Sequence, residues 1–472
     1  MIVPIPSSRY NQFTINYYAP NIGLASIAGY LIAKNIEVEI FDGIIDSNLR
    51  NLYKKIESYA PTHIGITAFT ANIKSAWKTA QTIKTKFNQI PITIGGLHVS
   101  ALPEESLAEC PYVDYVIIGE GEESFYSLLE NINTPQNFNE INGLGYRINS
   151  KIIINPPSDH YYINMDTLPM PAWHLFDWDK YKEYPFRDKH INSNPHEFLL
   201  QTTRGCPYSC KFCSRNFGNK VRQKSFNIAV DEISVLINSF NAKYLLFVDE
   251  TFTINKEYTK NLCNLIIERG LNKKISWSCG TRIDKLDKEI LTLMKNAGCV
   301  SIFVGLESGS QKILNLINKG IKKSCFSNAL KDIKEQGIST VTSFILGFPG
   351  ETKRDIKQTI DLSLTLPLDF VSFNIFTPFP GSEFYKTISV SDTITLKTHD
   401  WDRYVTQTGS YQLNQPSIRT IDIIILHILA YLRFYLRKNC FHKIFQIINI
   451  KVLFYLLINK ITVEIFADLY EE

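Results

Sequence analysis

At 472 residues the chain is too long for one ordinary hydrophobic core, so two or three domains are expected. Its 50 basic and 46 acidic residues leave a net charge of only +4, which argues against nucleic acid as the main partner. Three of the nine cysteines sit in one loop and the rest are scattered, which excludes a disulfide framework. The start, Met1-Ile2-Val3-Pro4-Ile5-Pro6, lacks the basic and apolar stretches of a secretory signal, so a cytoplasmic protein is expected.

Residues 1–135 alternate strand candidates (Val38–Phe41, Ile64–Thr67, Ile92–Gly95, Tyr115–Ile118) with segments of helical spacing (Leu24–Lys34, Ile73–Phe87, Pro103–Glu109). This alternation predicts an α/β domain with a doubly wound, Rossmann-like parallel sheet. Gly95-Gly96 and Gly119-Glu120-Gly121-Glu122 follow strands, at the carboxyl edge where such sheets bind ligands. Residues 136–195 are rich in Pro, Asn, Asp and aromatics and read as a linker with a hairpin around Gly143–Ile154.

Across residues 196–385 six strands are expected: Leu199–Thr202, Tyr244–Val248, Ser276–Gly280, Val300–Gly305, Thr340–Leu346 and Phe370–Phe376. Intervening helices make this a (β/α)6 partial TIM barrel, with its site at the strand C-termini. Residues 386–472 read as a helical C-terminal region. Ile421–Arg437 and Lys443–Phe466 are apolar, but Arg433, Lys451 and Lys460 interrupt any membrane span. The expectation is helices that cap the barrel or pack on the first domain; contact with a membrane surface is the alternative.

The chemistry concentrates in Gly205-Cys206-Pro207-Tyr208-Ser209-Cys210-Lys211-Phe212-Cys213. Three soft thiolates spaced C-x3-C-x2-C can address one centre, either an iron–sulfur cluster or zinc. Zinc wants a second Cys/His pair, and none stands out downstream, so a 4Fe-4S cluster with one iron open is the better fit. Further polar residues fall at later strand ends. Asp249 and Glu250 can accept from an ammonium, or Asp249 can cap a helix. Ser278 and Arg282 suit a hydroxyl and a carboxylate, although an Arg282 pair with Asp284 or Asp287 is the bland rival. Glu307 follows the fourth strand, and Gly347 allows close approach after the fifth.

This loop, followed in order by those strand ends, resembles the radical S-adenosylmethionine (SAM) superfamily. The resemblance implies that Cys206, Cys210 and Cys213 hold a 4Fe-4S cluster whose open iron chelates SAM. It also implies SAM contacts from Phe212, Asp249, Glu250, Ser278, Arg282, Glu307 and Gly347. Reduction of the cluster, from a donor such as flavodoxin or ferredoxin, would then release a 5′-deoxyadenosyl radical. Here Asp-Glu-Thr stands where the superfamily often has Gly-Gly-Glu.

The first domain resembles the cobalamin-binding domain often fused ahead of such barrels. The motifs are Asn21-Ile22-Gly23-Leu24, Ile64-Gly65-Ile66-Thr67, Gly95-Gly96-Leu97-His98 and Val116-Ile117-Ile118-Gly119-Glu120-Gly121-Glu122. Cobalamin contacts from Thr67, Gly95, Gly96, Gly119 and Glu120 are implied. The Asp-x-His-x-x-Gly motif that supplies a cobalt ligand elsewhere is absent, and His63 and His98 lie in other contexts. Cobalamin would then bind without a histidine ligand, unless the domain keeps only the fold. The expected activity is methyl transfer to an unactivated centre of a small molecule. A radical cyclisation or rearrangement without methyl transfer is the rival enzyme, and a cobalamin or redox sensor the non-catalytic one. Methylthiotransfer to tRNA is disfavoured, since only Cys110 precedes the cluster loop. Tyr385, Trp401, Tyr404 and Tyr411 could line a substrate pocket, with core packing the better expectation for each.

Overall fold

A computed structural model describes residues 1–6, 19–157, 164–181, 197–215, 217–406 and 411–437. The expected helix Lys443–Phe466 and Cys440 lie outside the described residues.

The first sheet contains β1 (Ile2–Val3), β2 (Phe41–Asp42), β3 (Ile64–Thr67), β4 (Ile92–Gly95), β5 (Tyr115–Ile117), β6 (Leu144–Ile148) and β7 (Lys151–Ile154) in the order β2-β1-β3-β4-β5-β6-β7. Neighbours from β2 to β5 are parallel. The near-continuous apolar runs of β3 and β4 suit strands covered on both faces. The expected strand Val38–Phe41 shrinks and shifts to Phe41–Asp42, because β1 offers it only two residues to pair with. The hairpin expected within the linker joins this sheet instead: β6 pairs antiparallel to β5, and β7 to β6. Strand order reverses between β1 and β3, which places Thr67 at the switch point where such sheets open a crevice.

The second sheet is built from β8 (Glu197–Leu200), β11 (Tyr244–Phe247), β12 (Ser276–Thr281), β13 (Cys299–Glu307), β14 (Ser339–Leu346) and β15 (Phe370–Ile375). They run β15-β14-β13-β12-β11-β8 with every neighbour parallel, the partial barrel expected from the sequence. Helices Phe226–Phe240, Lys256–Glu268, Lys288–Asn296, Phe326–Glu335 and Lys353–Thr365 make the crossovers. Between β8 and β11 a small antiparallel ladder, β9 (Thr203–Arg204) with β10 (Arg222–Gln223), brackets the cysteine loop.

Residues 164–181 bind the two sheets together. Ala172 N–H donates to Ala25 C=O at 2.8 Å, the Tyr181 hydroxyl to Asp42 at 2.7 Å, and Trp178 stacks on Phe198 with centroids 4.0 Å apart. The C-terminal region returns to both domains. Trp401 and Tyr404 are buried in the first domain's core. Helix Thr420–Tyr435 covers β15, an edge strand with unpaired backbone groups. The Tyr435 hydroxyl accepts from Val371 N–H (2.9 Å) and donates to Val371 C=O (2.7 Å), while Tyr431 makes the same pair of bonds to Phe373 at 3.1 and 3.2 Å. His427 Nε2 adds a 2.7 Å bond to Phe373 C=O. Both packing arrangements expected of this region therefore occur together.

Candidate active site

Cys206, Cys210 and Cys213 lie in the loop between β9 and β10, all as free thiols, the first two half-buried and Cys213 exposed. Backbone bonds shape the loop: Cys206 N–H to Gly218 C=O, Cys213 N–H to Cys210 C=O and Lys211 N–H to Ile317 C=O, at 3.0–3.1 Å. Gly205 has φ +94°, and a Cβ there would stand 2.2 Å from Lys220 C=O, so only glycine starts this loop without strain. Desolvation pushes the Cys210 and Cys213 thiols up, while Lys319 and Arg282 oppose that shift at Cys210. Among the described residues no trio of His, Cys, Asp or Glu stands ready to hold a metal ion, so the loop carries its three thiols without a closed cage. The fit to an iron–sulfur cluster rests on soft, unpaired donors with cations nearby.

The strand ends around this loop divide into groups used up by the fold and groups left open. Asp249 is buried and its Oδ1 accepts from Thr202 N–H (2.9 Å), the Thr202 hydroxyl (3.0 Å) and Thr203 N–H; its Oδ2 is buried without a partner. Burial pushes this carboxyl up to about 6. Glu250 Oε2 accepts from Gly205 N–H at 2.9 Å, and desolvation pushes this carboxyl up to about 7. Ser278, which the sequence places at a strand end, falls in the middle of β12 and is buried. Arg282 is engaged within the protein, as its bland rival anticipated. It forks onto Asp284 at 3.0 and 3.1 Å, donates to Lys319 C=O at 2.9 Å and stacks 3.6 Å over the Tyr208 ring. It steadies the cysteine loop rather than presenting an open fork.

Glu307 is buried at φ +62° and accepts from Lys319 Nζ at 2.7 Å. Lys319, which no sequence motif marks, also stands 5.9 Å over the Phe212 ring. Phe212 packs on Phe348 with centroids 5.8 Å apart. Gly347 faces the C-terminal region, its C=O accepting from the Tyr411 hydroxyl at 2.8 Å. Its N–H and that of Phe348 donate to Glu351 Oε2 at 2.6 and 3.0 Å. Glu351, also missed, is fully buried and pushed up to about 8 by that burial.

In the first domain, Thr67, Gly95, Gly96, Gly119 and Glu120 all sit at the carboxyl edge. Gly96 has φ +118°, and a Cβ would meet Ala68 C=O at 2.3 Å. At Gly119 a Cβ would find nothing within 4 Å, and at Gly95 nothing nearer than 3.8 Å. Open space of this kind above the strand ends fits a large planar cofactor. His98 is no candidate ligand: it is buried, bonded to Thr70 Oγ1 at 3.2 Å and edge-on to Trp401 at 4.8 Å. Burial holds it down to about 4. His63 lies before β3 and lines a separate cavity of about 310 Å³ away from the cysteine loop.

Glu120 is where the structure departs most from the expectation. Its carboxylate meets Arg204 Nη1 at 2.8 Å and Arg222 Nη2 at 2.5 Å, across the domain boundary. Glu122 meets Arg204 Nη2 at 2.7 Å and the Ser26 hydroxyl at 2.8 Å. The four charged side chains are each about 5 % exposed. Arg204 stands two residues before Cys206. The twin glutamates of Gly119–Glu122 and the arginine before the cluster loop were the available signal, but nothing local pairs them.

Two family models match the chain: the B12 binding domain over residues 11–129 and the radical SAM superfamily over residues 200–363. An uncharacterized methyltransferase of Pyrococcus horikoshii is 31% identical over 448 residues, 94% of each chain. The anaerobic magnesium-protoporphyrin IX monomethyl ester cyclase of Rubrivivax gelatinosus is 26% identical over 393 residues, 82% of this chain and 68% of the relative. Among solved structures, the radical SAM methyltransferase TsrM of Kitasatospora setae, with cobalamin and an iron–sulfur cluster bound, superposes with a TM-score of 0.67 at 18% identity. That superposition covers 81% of this chain and 78% of TsrM and speaks for the fold. On these grounds the chain belongs to the radical SAM superfamily, in the branch that carries a B12-binding domain ahead of the barrel.

Proposed function

We propose that the protein is a cobalamin-dependent radical SAM methyltransferase acting on an unactivated centre of a small molecule. The observation that carries this reading is the short span between the two half-sites. One side chain, Arg204, reaches from beside Cys206 to Glu120, next to Gly119, so the stem of the cysteine loop and the glycine-lined edge adjoin each other. A barrel radical site with no role for the first domain would not need this arrangement. When bound, a reduced cluster with SAM supplies a carbon-centred radical, and cobalamin supplies a methyl carrier.

Cys206, Cys210 and Cys213 are the ligands for the cluster in this reading. The unpartnered Asp249 Oδ2 and the free oxygen of Glu250 suit the SAM ammonium, with Ser278 and the Glu307–Lys319 pair beside its ribose and methionyl parts. Thr67, Gly95, Gly96 and Gly119 frame the cobalamin edge. Phe212, Phe348, Phe376 and Phe384 form a run of ring contacts of 5.1–5.8 Å behind the loop, which keeps water from that side. An oxygen-sensitive site needs a reducing compartment, so we place the protein in the cytoplasm with flavodoxin or ferredoxin as the electron donor. Among the described residues no helix is long and apolar enough to cross a membrane.

The relative named as a methyltransferase covers both chains almost entirely, which favours methyl transfer; the cyclase relative makes cyclisation the second reading. Anaerobically reconstituted protein, given SAM, hydroxocobalamin and a reductant, separates them. Methyl transfer requires both 5′-deoxyadenosine and S-adenosylhomocysteine among the products. 5′-Deoxyadenosine alone points to cyclisation or rearrangement, and neither product points to a sensor.

A further inference from the structure

The two glutamates of the Gly119-Glu120-Gly121-Glu122 motif are occupied by charge pairs rather than open to a ligand. Arg204 and Arg222 face each other across the β9–β10 ladder, and the loop bearing all three cysteines closes between them. Both arginines therefore stand at the stem of that loop, one on each side. Glu120 bridges the two at 2.8 and 2.5 Å. Glu122 takes the remaining Arg204 nitrogen at 2.7 Å, and Gln201 takes Arg204 Nε at 3.0 Å, so every face of that guanidinium is held. On the first-domain side, Ser26 ties Glu122 to helix Ile22–Ala33, and Ser100 holds Gly119 N–H at 2.9 Å. Two cations and two anions cancel, which is what allows four charges to be buried at one domain boundary.

All three nitrogens of the planar Arg204 guanidinium are held, by Gln201, Glu120 and Glu122, which fixes its angle as well as its distance. With Arg222 in ion-pair contact with the other Glu120 oxygen, the loop stem has little freedom to slide or rotate against the first domain. A surface pair would only tether the domains. From this geometry we infer that Glu120, Glu122, Arg204 and Arg222 are positioning residues that set the cysteine loop in register with the cobalamin edge, and that Glu120 is not itself a cobalamin contact. The inference rests on the proposed function for its purpose, since two reactive centres acting on one substrate atom must keep a fixed separation. A misplacement of roughly 1 Å is enough to cost a reaction about a hundredfold.

The test uses the full-length protein reconstituted with cluster and hydroxocobalamin, and compares wild type with Glu120→Gln. A second variant, Glu120→Gln with Arg222→Gln, removes one charge of each sign and guards against simple misfolding. Hydroxocobalamin affinity is measured by optical titration, and the separation of the reduced cluster from cob(II)alamin by pulsed dipolar electron paramagnetic resonance. The expected result is unchanged affinity in both variants, with a distance distribution that broadens or shifts by roughly 1 Å or more. Reduced affinity at an unchanged distance would make Glu120 a cobalamin contact and overturn the inference, as would no change in either quantity. Should wild type bind no hydroxocobalamin, the proposed function fails, and amide exchange decides the inference alone. Glu122→Gln then speeds exchange across residues 205–221 if the stem is held by the first domain, and a response confined to residues 119–123 overturns it.

Discussion

Glu351 illustrates how a single buried group can set a pH response. Its Oε2 accepts two backbone N–H groups, its Oε1 is buried without a partner, and burial raises it from 4.5 to about 8. At neutral pH the folded protein keeps a proton there that the unfolded chain releases. Stability contributed by this group is therefore full below about pH 4.5 and drains away as pH rises towards 8, by at most about 1.4 kcal/mol per pH unit. Glu351→Gln keeps the shape without the titration. It should melt with wild type at pH 5 and above it at pH 8; a constant gap in thermal unfolding across that range would refute the assignment. At this scale, legibility depended on whether a residue's partner was nearby in sequence. The three cysteines announced themselves by spacing, and the Arg282–Asp284 rival could be named because the two are neighbours. The ion pairs of Glu120 could not be read because its partners, Arg204 and Arg222, come from another domain, and that of Lys319 because its partner Glu307 sits across a turn with no motif.

The elements show how a sheet that stops short of a closed barrel deals with its edge. β15 has a helix, not a strand, beside it, and Tyr431, Tyr435 and His427 supply by side chain the bonds a seventh strand would make. Tyr435→Phe leaves both the N–H and the C=O of Val371 without that hydroxyl in a buried setting. A loss of about 1–3 kcal/mol is expected in chemical denaturation. A neutral outcome would mean that water or a shifted helix replaces the hydroxyl. The six barrel strands were legible because each is a short, strongly apolar run between turn residues. The helix Leu49–Tyr59 escaped notice because only Leu52 and Ile56 along it are buried, too sparse a stripe to register. The helix Gly121–Glu130 was hidden by reading its first turn as part of a ligand loop.

Across the whole molecule, the two modules share more than a boundary. The linker segment binds both, the β6–β7 hairpin belongs to the first sheet, and Trp401 returns from beyond the barrel to pack on His98 and donate to Glu109 at 3.3 Å. Trp401→Ala should cost about 3–5 kcal/mol, with faster amide exchange in residues 70–83 of the first domain. If exchange rises only near residues 395–405, the packing is local and the domains are more separable than described. Trp401 also bears on the order in which the protein is made. Residues of the first domain leave the ribosome before any of the barrel, yet part of their hydrophobic interior is supplied by a segment synthesised after it. The core of the first domain is therefore completed only after the barrel and the segment around residues 401–404 have been translated.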